Sequence, residues 1–143
     1  MAATTTDRNT QRRYGGTRSF PAAAATLVPA GVIACLNASG LLTNGATSTT
    51  LKAVGVPRAP INNAAGAASA ISGEVETGIF LFGNSASTDQ ITLADVGADC
   101  YIVDNQTVAK TNGSSTRSVA GKVYDVHSGS EATARDGSRF DTW

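Results

Sequence analysis

Histidine, cysteine and aromatic side chains are what this chain has least of. Its 143 residues include one His, two Cys, one Trp, three Tyr and four Phe, and only 15% are charged. Catalysis needs titratable groups gathered in one place, and a chain with a single histidine has few ways to gather them. His127 could be grouped with a serine and an aspartate, but any Ser-rich chain offers such a triple and no Gly-x-Ser-x-Gly elbow accompanies it. Cys35 and Cys100 lack Cys-x-x-Cys spacing, and one histidine does not complete a common zinc set. Asp95, Asp99 and Asp104 miss the alternating-ligand pattern of a calcium loop. No glycine-rich phosphate cradle is present. Glu74 and Glu76 share a strand face, where like charges normally meet water, and are too isolated to serve as an acid/base pair. The sequence thus puts forward no catalytic residue, no metal ligand and no cofactor, and the expectation is a protein that is not an enzyme.

Excess charge is also missing. Eleven basic residues balance eleven acidic ones, which excludes nucleic-acid binding through bulk electrostatics. A 41% hydrophobic content excludes a charged disordered chain. Long apolar runs are absent: the richest early stretch, residues 22–36, is broken by Pro29 and Gly31 and is too short to span a bilayer. The first residues are small and polar rather than basic and then apolar. The expectation is therefore synthesis and use in a cytosolic setting, with no membrane and no direct nucleic-acid partner. In that setting two cysteines read as buried free thiols rather than a disulfide. The Asn-x-Ser/Thr triplets at Asn37, Asn105 and Asn112 read as turns rather than glycan acceptors.

What the chain does have is small residues, with Ala, Gly, Ser and Thr making up about half of it, enough for one modest core in a single domain. Residues 1–20 carry Arg8, Arg12, Arg13 and Arg18 against Asp7 alone, with Tyr14 and Phe20 as their bulky side chains. They show no apolar period and read as an extended N-terminal arm. Residues 21–127 alternate short apolar runs with turn residues. Strand candidates are residues 32–36, 51–56 up to Pro57, 74–77, 79–82, 100–103, 107–110 and 119–127, and residues 79–82 (Ile-Phe-Leu-Phe) read as the central core strand. Asn44-Gly45 reads as a hairpin turn, Asp104-Asn105-Gln106 as another, residues 62–70 as a loop, and residues 92–97 as a capped single helical turn. In the last strand Val119, Gly121, Val123, Asp125 and His127 fall on one face. Residues 128–143 form a C-terminal arm, polar except for Phe140 and Trp143. Seven or eight short strands without a long helix predict an all-β protein, a jelly-roll-like sandwich or small barrel with arms at both ends. Arg8, Arg12, Arg13, Tyr14, Arg18, Phe20, Phe140 and Trp143 are the candidate partner-binding residues, arginines for an acidic surface and aromatics as anchors.

A resemblance sharpens this. Asn84-Ser85-Ala86, residues 91–97, residues 100–110 and Ser118-Val119-Ala120-Gly121-Lys122-Val123, together with Asp7-Arg8-Asn9-Thr10 and Ala53-Val54-Gly55-Val56, resemble small proteins of tailed phages and prophages encoded near the major capsid protein, among them the cement, or decoration, proteins of the head. The resemblance covers most of the chain up to His127. It implies a jelly-roll-like domain on the outer capsid surface of the virion, bridging neighbouring copies of the phage major capsid protein against internal DNA pressure. It also implies self-association, as a homodimer or alternatively a homotrimer, and it carries over no active site. A competing expectation, from the sugar-binding habit of jelly rolls, is a carbohydrate-binding head fibre or adhesin module.

Overall fold

Short apolar runs cut by Gly, Asn and Pro cannot propagate a helix, and in the computed structural model, which describes residues 15–128 and 131–136, they form strands. Among these residues the strands are β1 (Thr17–Pro21), β2 (Thr26–Val28), β3 (Ala34–Leu36), β4 (Leu42–Asn44), β5 (Lys52–Pro57), β6 (Ile61–Asn63), β7 (Ser72–Glu76), β8 (Ile79–Asn84), β9 (Asp99–Ile102), β10 (Thr107–Ala109), β11 (Val119–Ser128) and β12 (Glu131–Asp136). The protein is all-β. A five-stranded sheet in the order β1-β7-β5-β3-β4 is followed by a closed barrel in the order β10-β8-β12-β11-β9, and β2 pairs with β6 as a separate ribbon. An odd number of strands cannot close with every neighbour antiparallel. The barrel meets this with one parallel pair, β8 with β10, in which Thr107 lies opposite Gly83.

The interior of a five-stranded barrel is narrow, and this is where the chain's alanines are used. Ala120, Ala132 and Ala134 point inward beside Phe82, Ile91, Cys100, Ile102, Val108 and Val123. That cluster continues into the sheet through Ile33, Cys35 and Val56. A second cluster, Ala22, Val28, Ala34, Leu42, Val54, Ile61 and Val75, fills the other side of the sheet. β3 and β5 are thus buried on both faces. A bulge sets which β5 residues take which face: Cys35 lies opposite Ala53 but Ala34 lies opposite Gly55, so Val54 is the extra residue. Gly55, at a φ of 140°, takes the backbone conformation the bulge requires. Ala53 and Val56 then face the barrel while Val54 faces away from it.

Several expectations hold. Thr92 and Asp95 form a reciprocal capping box on a 3-10 turn at Leu93–Asp95. β9 and β10 make the expected hairpin, with Val108 opposite Ile102. Others are corrected. Residues 17–20, read as the end of an arm, belong to the edge strand β1, which pairs with β7 from Thr17 opposite Glu76 to Pro21 opposite Ser72. Residues 131–136, read as part of the C-terminal arm, are β12, which lies between β8 and β11 and closes the barrel. Asn44-Gly45 is not a hairpin turn, because β5 pairs with β3 rather than with β4. Asn44 instead donates to the Leu27 carbonyl at 2.7 Å. A Cβ on Gly45 would stand 3.2 Å from Ile33, Ile102 and the Asp104 carbonyl, so that glycine serves a close approach between sheet and barrel. Residues 79–82 are not wholly buried. Phe82 points into the barrel, whereas Ile79 and Leu81 point out, since a barrel strand has only one inner face. Along β11, register shifts at Val119/Gly121, Val123/Asp125 and Val126/Ser128 reset the alternation. Ala120, Val123 and Val126 consequently pack inward, and Val119, Asp125 and His127 are exposed.

Candidate interface

Of the partner-binding residues expected from sequence, Arg8, Arg12, Arg13, Tyr14, Phe140 and Trp143 lie outside the described residues. The structure places Arg18 and Phe20 two apart on β1, on the face that packs against the Val54–Val75 side of the core. The β5 bulge takes the Val54 carbonyl out of the ladder, and Arg18 Nη2 donates to it at 2.8 Å. The guanidinium lies 5.4 Å from the centre of the Phe20 ring, a cation–π distance. Arg18 is therefore engaged within the fold, while its Nε is buried without a hydrogen-bond partner among the described residues.

Sequence reasoning missed a different feature. Ile79 and Leu81 on β8, Tyr124 on β11 two strands away, and Leu93 and Val96 beside β11 expose between 42% and 69% of their surface on the outside of the barrel. The turn carrying Leu93 and Val96 is tied to β11 by the Gly97 N–H, which donates to the Val123 carbonyl at 2.8 Å. Single exposed apolar residues are ordinary, but Tyr124 with Leu93 and Val96 on the turn tied to β11 is a bulky local group of the kind that marks an interaction surface, and Ile79 with Leu81 is a second such group on β8, beyond β12. A continuous apolar run hides this in sequence, because its outward half is indistinguishable from its inward half. The flanking Gly78 and Gly83 were the available sign that residues 79–82 form one short barrel strand.

The polar clusters are structural in geometry. Asp89 accepts from the Thr111 hydroxyl and from Arg117 at 3.0 Å, fastening the turn before Gln90 to the loop after β10. The Thr111 hydrogen bond first, and then the Arg117 bond and charge, hold the Asp89 carboxyl below the usual carboxylate range. Asp95 is lowered too, chiefly by the Thr92 backbone N–H and then by Lys110, whose ammonium stands 3.1 Å away. Groups depressed in the fold contribute stability in full above their unfolded pKa of about 4 and lose it as pH falls through the lower folded value. The melting temperature is therefore expected to drop on acidification below about pH 4, and Asp89→Asn should flatten that drop. Melting curves across a pH series check this; equal slopes for the variant and the parent would exclude Asp89 as a contributor.

Cys35 and Cys100 are free and buried. Burial pushes both thiols up to about 12, and the Cys100 sulfur lies 3.5 Å from the Gly121 carbonyl. Since the thiolate is the reactive form, native protein at pH 8 should release essentially none of its two thiol equivalents to Ellman's reagent, and guanidinium should release both. Prompt reaction of either thiol in the native protein would contradict this burial.

Among the described residues, no group of three or more His, Cys, Asp or Glu side chains is placed to hold a metal ion, and no helix is long and apolar enough to cross a membrane. Set against protein-family models, curated proteins and solved structures, the chain matches none of them.

Proposed function

We propose that the protein is a structural virion component, a cement (decoration) protein on the outer surface of a tailed-phage head. It bridges neighbouring major capsid proteins, stabilises the shell against the pressure of packaged DNA and acts as a self-associated unit, a homodimer or alternatively a homotrimer. The observation that carries this reading is the large apolar side chains exposed on the outside of the barrel, Ile79 and Leu81 on β8 and, two strands round, Tyr124 with Leu93 and Val96. They offer docking contacts on a rigid closed barrel, in a chain whose motifs resemble that family. A rigid barrel fixes position while apolar side chains supply area, and repetition over a shell multiplies modest individual contacts. The same residues argue against the carbohydrate-binding reading: Tyr124 is the one aromatic among the strongly exposed large apolar residues described, and sugars stack on aromatic platforms.

Tailed-phage heads assembled from the proposed partner, a major capsid protein, provide the test. Purified protein added to heads that lack it should co-sediment with them at a fixed ratio and raise their melting temperature; failure to bind would overturn the proposal. The contribution of the N-terminal arm is tested by a deletion that ends at residue 14. It removes Arg8, Arg12, Arg13 and Tyr14 and spares β1, which starts at Thr17. The truncated chain should melt like the parent yet occupy heads less completely, and equal occupancy would remove the arm from the binding account.

A further inference from the structure

The five-stranded sheet has two edges, and among the described residues only one of them is covered. At the β4 edge the Ala23 N–H donates to the Leu42 carbonyl at 2.9 Å, and Ala22 bridges to Leu42 in parallel. The barrel is closed and has no edge at all. This leaves β1. The Thr77 N–H donates to Gly16 and the Ala22 N–H donates to Ile71, so residues 16, 18, 20 and 22 turn their backbone groups toward β7 and residues 17, 19 and 21 turn theirs away from it. Pro21, which has no N–H to offer, falls in the outward phase, where a strand tolerates proline. Thr17 and Ser19 are exposed, and among the described residues nothing pairs with their outward N–H and C=O groups.

We infer that this edge pairs with the β1 edge of a second copy of the chain, antiparallel about a two-fold axis at Ser19, joining two five-stranded sheets into one. The inference rests on the self-association named in the proposed function and assigns it an edge and a register; its test reads the free protein, so it fails or holds independently of binding to heads. The second copy is the occupant because the edge is complementary to itself in one register. Ser19 exchanges both N–H···O bonds with Ser19 of the second copy, and the Thr17 N–H of each chain meets the Pro21 carbonyl of the other. Proline's missing donor falls at the ends of the ladder, not at its centre. The charges agree as well. In this register Arg18 lies opposite Phe20 of the second copy, the pairing it already makes within its own strand, and the two arginines are kept out of direct opposition. The small Thr17, Ser19 and Pro21 side chains raise no obstacle on the outer face. The edge also lacks the lysine that commonly guards an open strand.

Sedimentation equilibrium of the full chain should return twice the 14.5 kDa chain mass. Ser19→Pro removes the central donor and should give a monomer that melts normally, as Pro21 in the same phase leads one to expect, whereas Ser19→Ala keeps the N–H and should remain dimeric. Ser19→Cys offers a test that does not depend on tolerance of proline. Paired Ser19 Cα atoms stand about 5.5 Å apart in this register, inside the span of a disulfide of about 4.4–6.8 Å. Diamide, as the two-electron oxidant, should convert Ser19→Cys to a covalent dimer. It should leave Thr17→Cys monomeric on a denaturing gel, because Thr17 is four residues out of register with its own copy and more than ~10 Å from it. A monomeric parent, a dimeric and folded Ser19→Pro, or cross-linking that is absent or equal at the two positions would each overturn the inference. A monomer whose Thr17 and Ser19 amides resist hydrogen exchange would do so too, assigning the edge to the chain's own residues.

Discussion

Asn63→Ala is expected to cost about 1–3 kcal/mol of folding stability, a sizeable part of the ~5–15 kcal/mol available to a domain of this size. Asn63 is 3% exposed, and its amide donates to the Ala23 carbonyl at 2.8 Å and to the Ala67 carbonyl at 2.9 Å. Those bonds fasten the alanine-rich loop after β6 to the connection between β1 and β2. The loop has little else to hold it: Ala25 N–H to Gly66, Ser69 N–H to Ala22, and the Gly66 N–H back to the Asn63 carbonyl. Alanine would leave the Ala23 carbonyl without its donor, while the Ala67 carbonyl keeps the Ala70 N–H at 3.2 Å, and a buried unpaired group costs roughly 1–3 kcal/mol. At the scale of this chain the loss corresponds to a melting temperature lower by several degrees. Asn63→Asp should be worse, since a carboxylate oxygen would replace the donating NH2 and face the two carbonyls.

A partner substitution makes the expectation specific. A Cβ at Gly66 would stand 1.9 Å from Asn63 Oδ1, so Gly66→Ala must displace the same amide and should destabilise by a similar route. With Asn63 already shortened to alanine, that collision is gone. The double variant is therefore expected to lose clearly less than the sum of the two single losses, which a thermal or urea double-mutant cycle measures directly. Additive losses would mean that the amide is not what secures the loop.

The history of this loop shows what was legible in sequence. Residues 62–70 read as a loop despite five alanines, because Asn, Gly and Ser interrupt them, and all but the first two are a loop in the structure. That Asn63 is its anchor depends on Ala23, forty residues away, and no local pattern carries that. The same division recurs elsewhere. The Thr92–Asp95 box and the β9–β10 hairpin were readable because their partners are neighbours in sequence. Asn44-Gly45 carries a strong local hairpin signal, overruled by the sheet order that sets β5 against β3. β12 escaped notice because its inward residues are Ala132 and Ala134: alanine is a weak strand signal, and only the narrowness of a five-stranded barrel makes it the fitting choice. At the candidate site the arginine-rich segment was easy to see, yet the one arginine described there, Arg18, is drawn inward by a bulge carbonyl that only the folded sheet creates.

Leu81→Asp is expected to abolish most binding to phage heads while leaving the fold intact, and it follows from the outward half of a strand that looked wholly internal. Leu81 is 48% exposed and lies opposite Thr133 on β12, with Ile79 on the same face. A charge placed there meets water in the free protein, so the melting temperature should stay close to that of the parent. On the capsid the same carboxylate would have to be desolvated. Covering a leucine contributes about 1.5–3 kcal/mol, and its replacement by an unpaired charge costs more, so affinity should fall by at least about a hundred-fold. Leu81→Ala, which forfeits only the covered area, should cost closer to ten-fold. Tyr124→Ala, on β11 two strands round the barrel, probes the second group of exposed apolar residues, since anchoring aromatics carry a disproportionate share of binding energy. The order Asp, then Ala, then parent in head occupancy is the signature of a desolvated apolar contact. If Leu81→Asp occupied heads as the parent does, while the parent still bound, the outward face of β8 would be excluded as the contact and the arms would have to supply it.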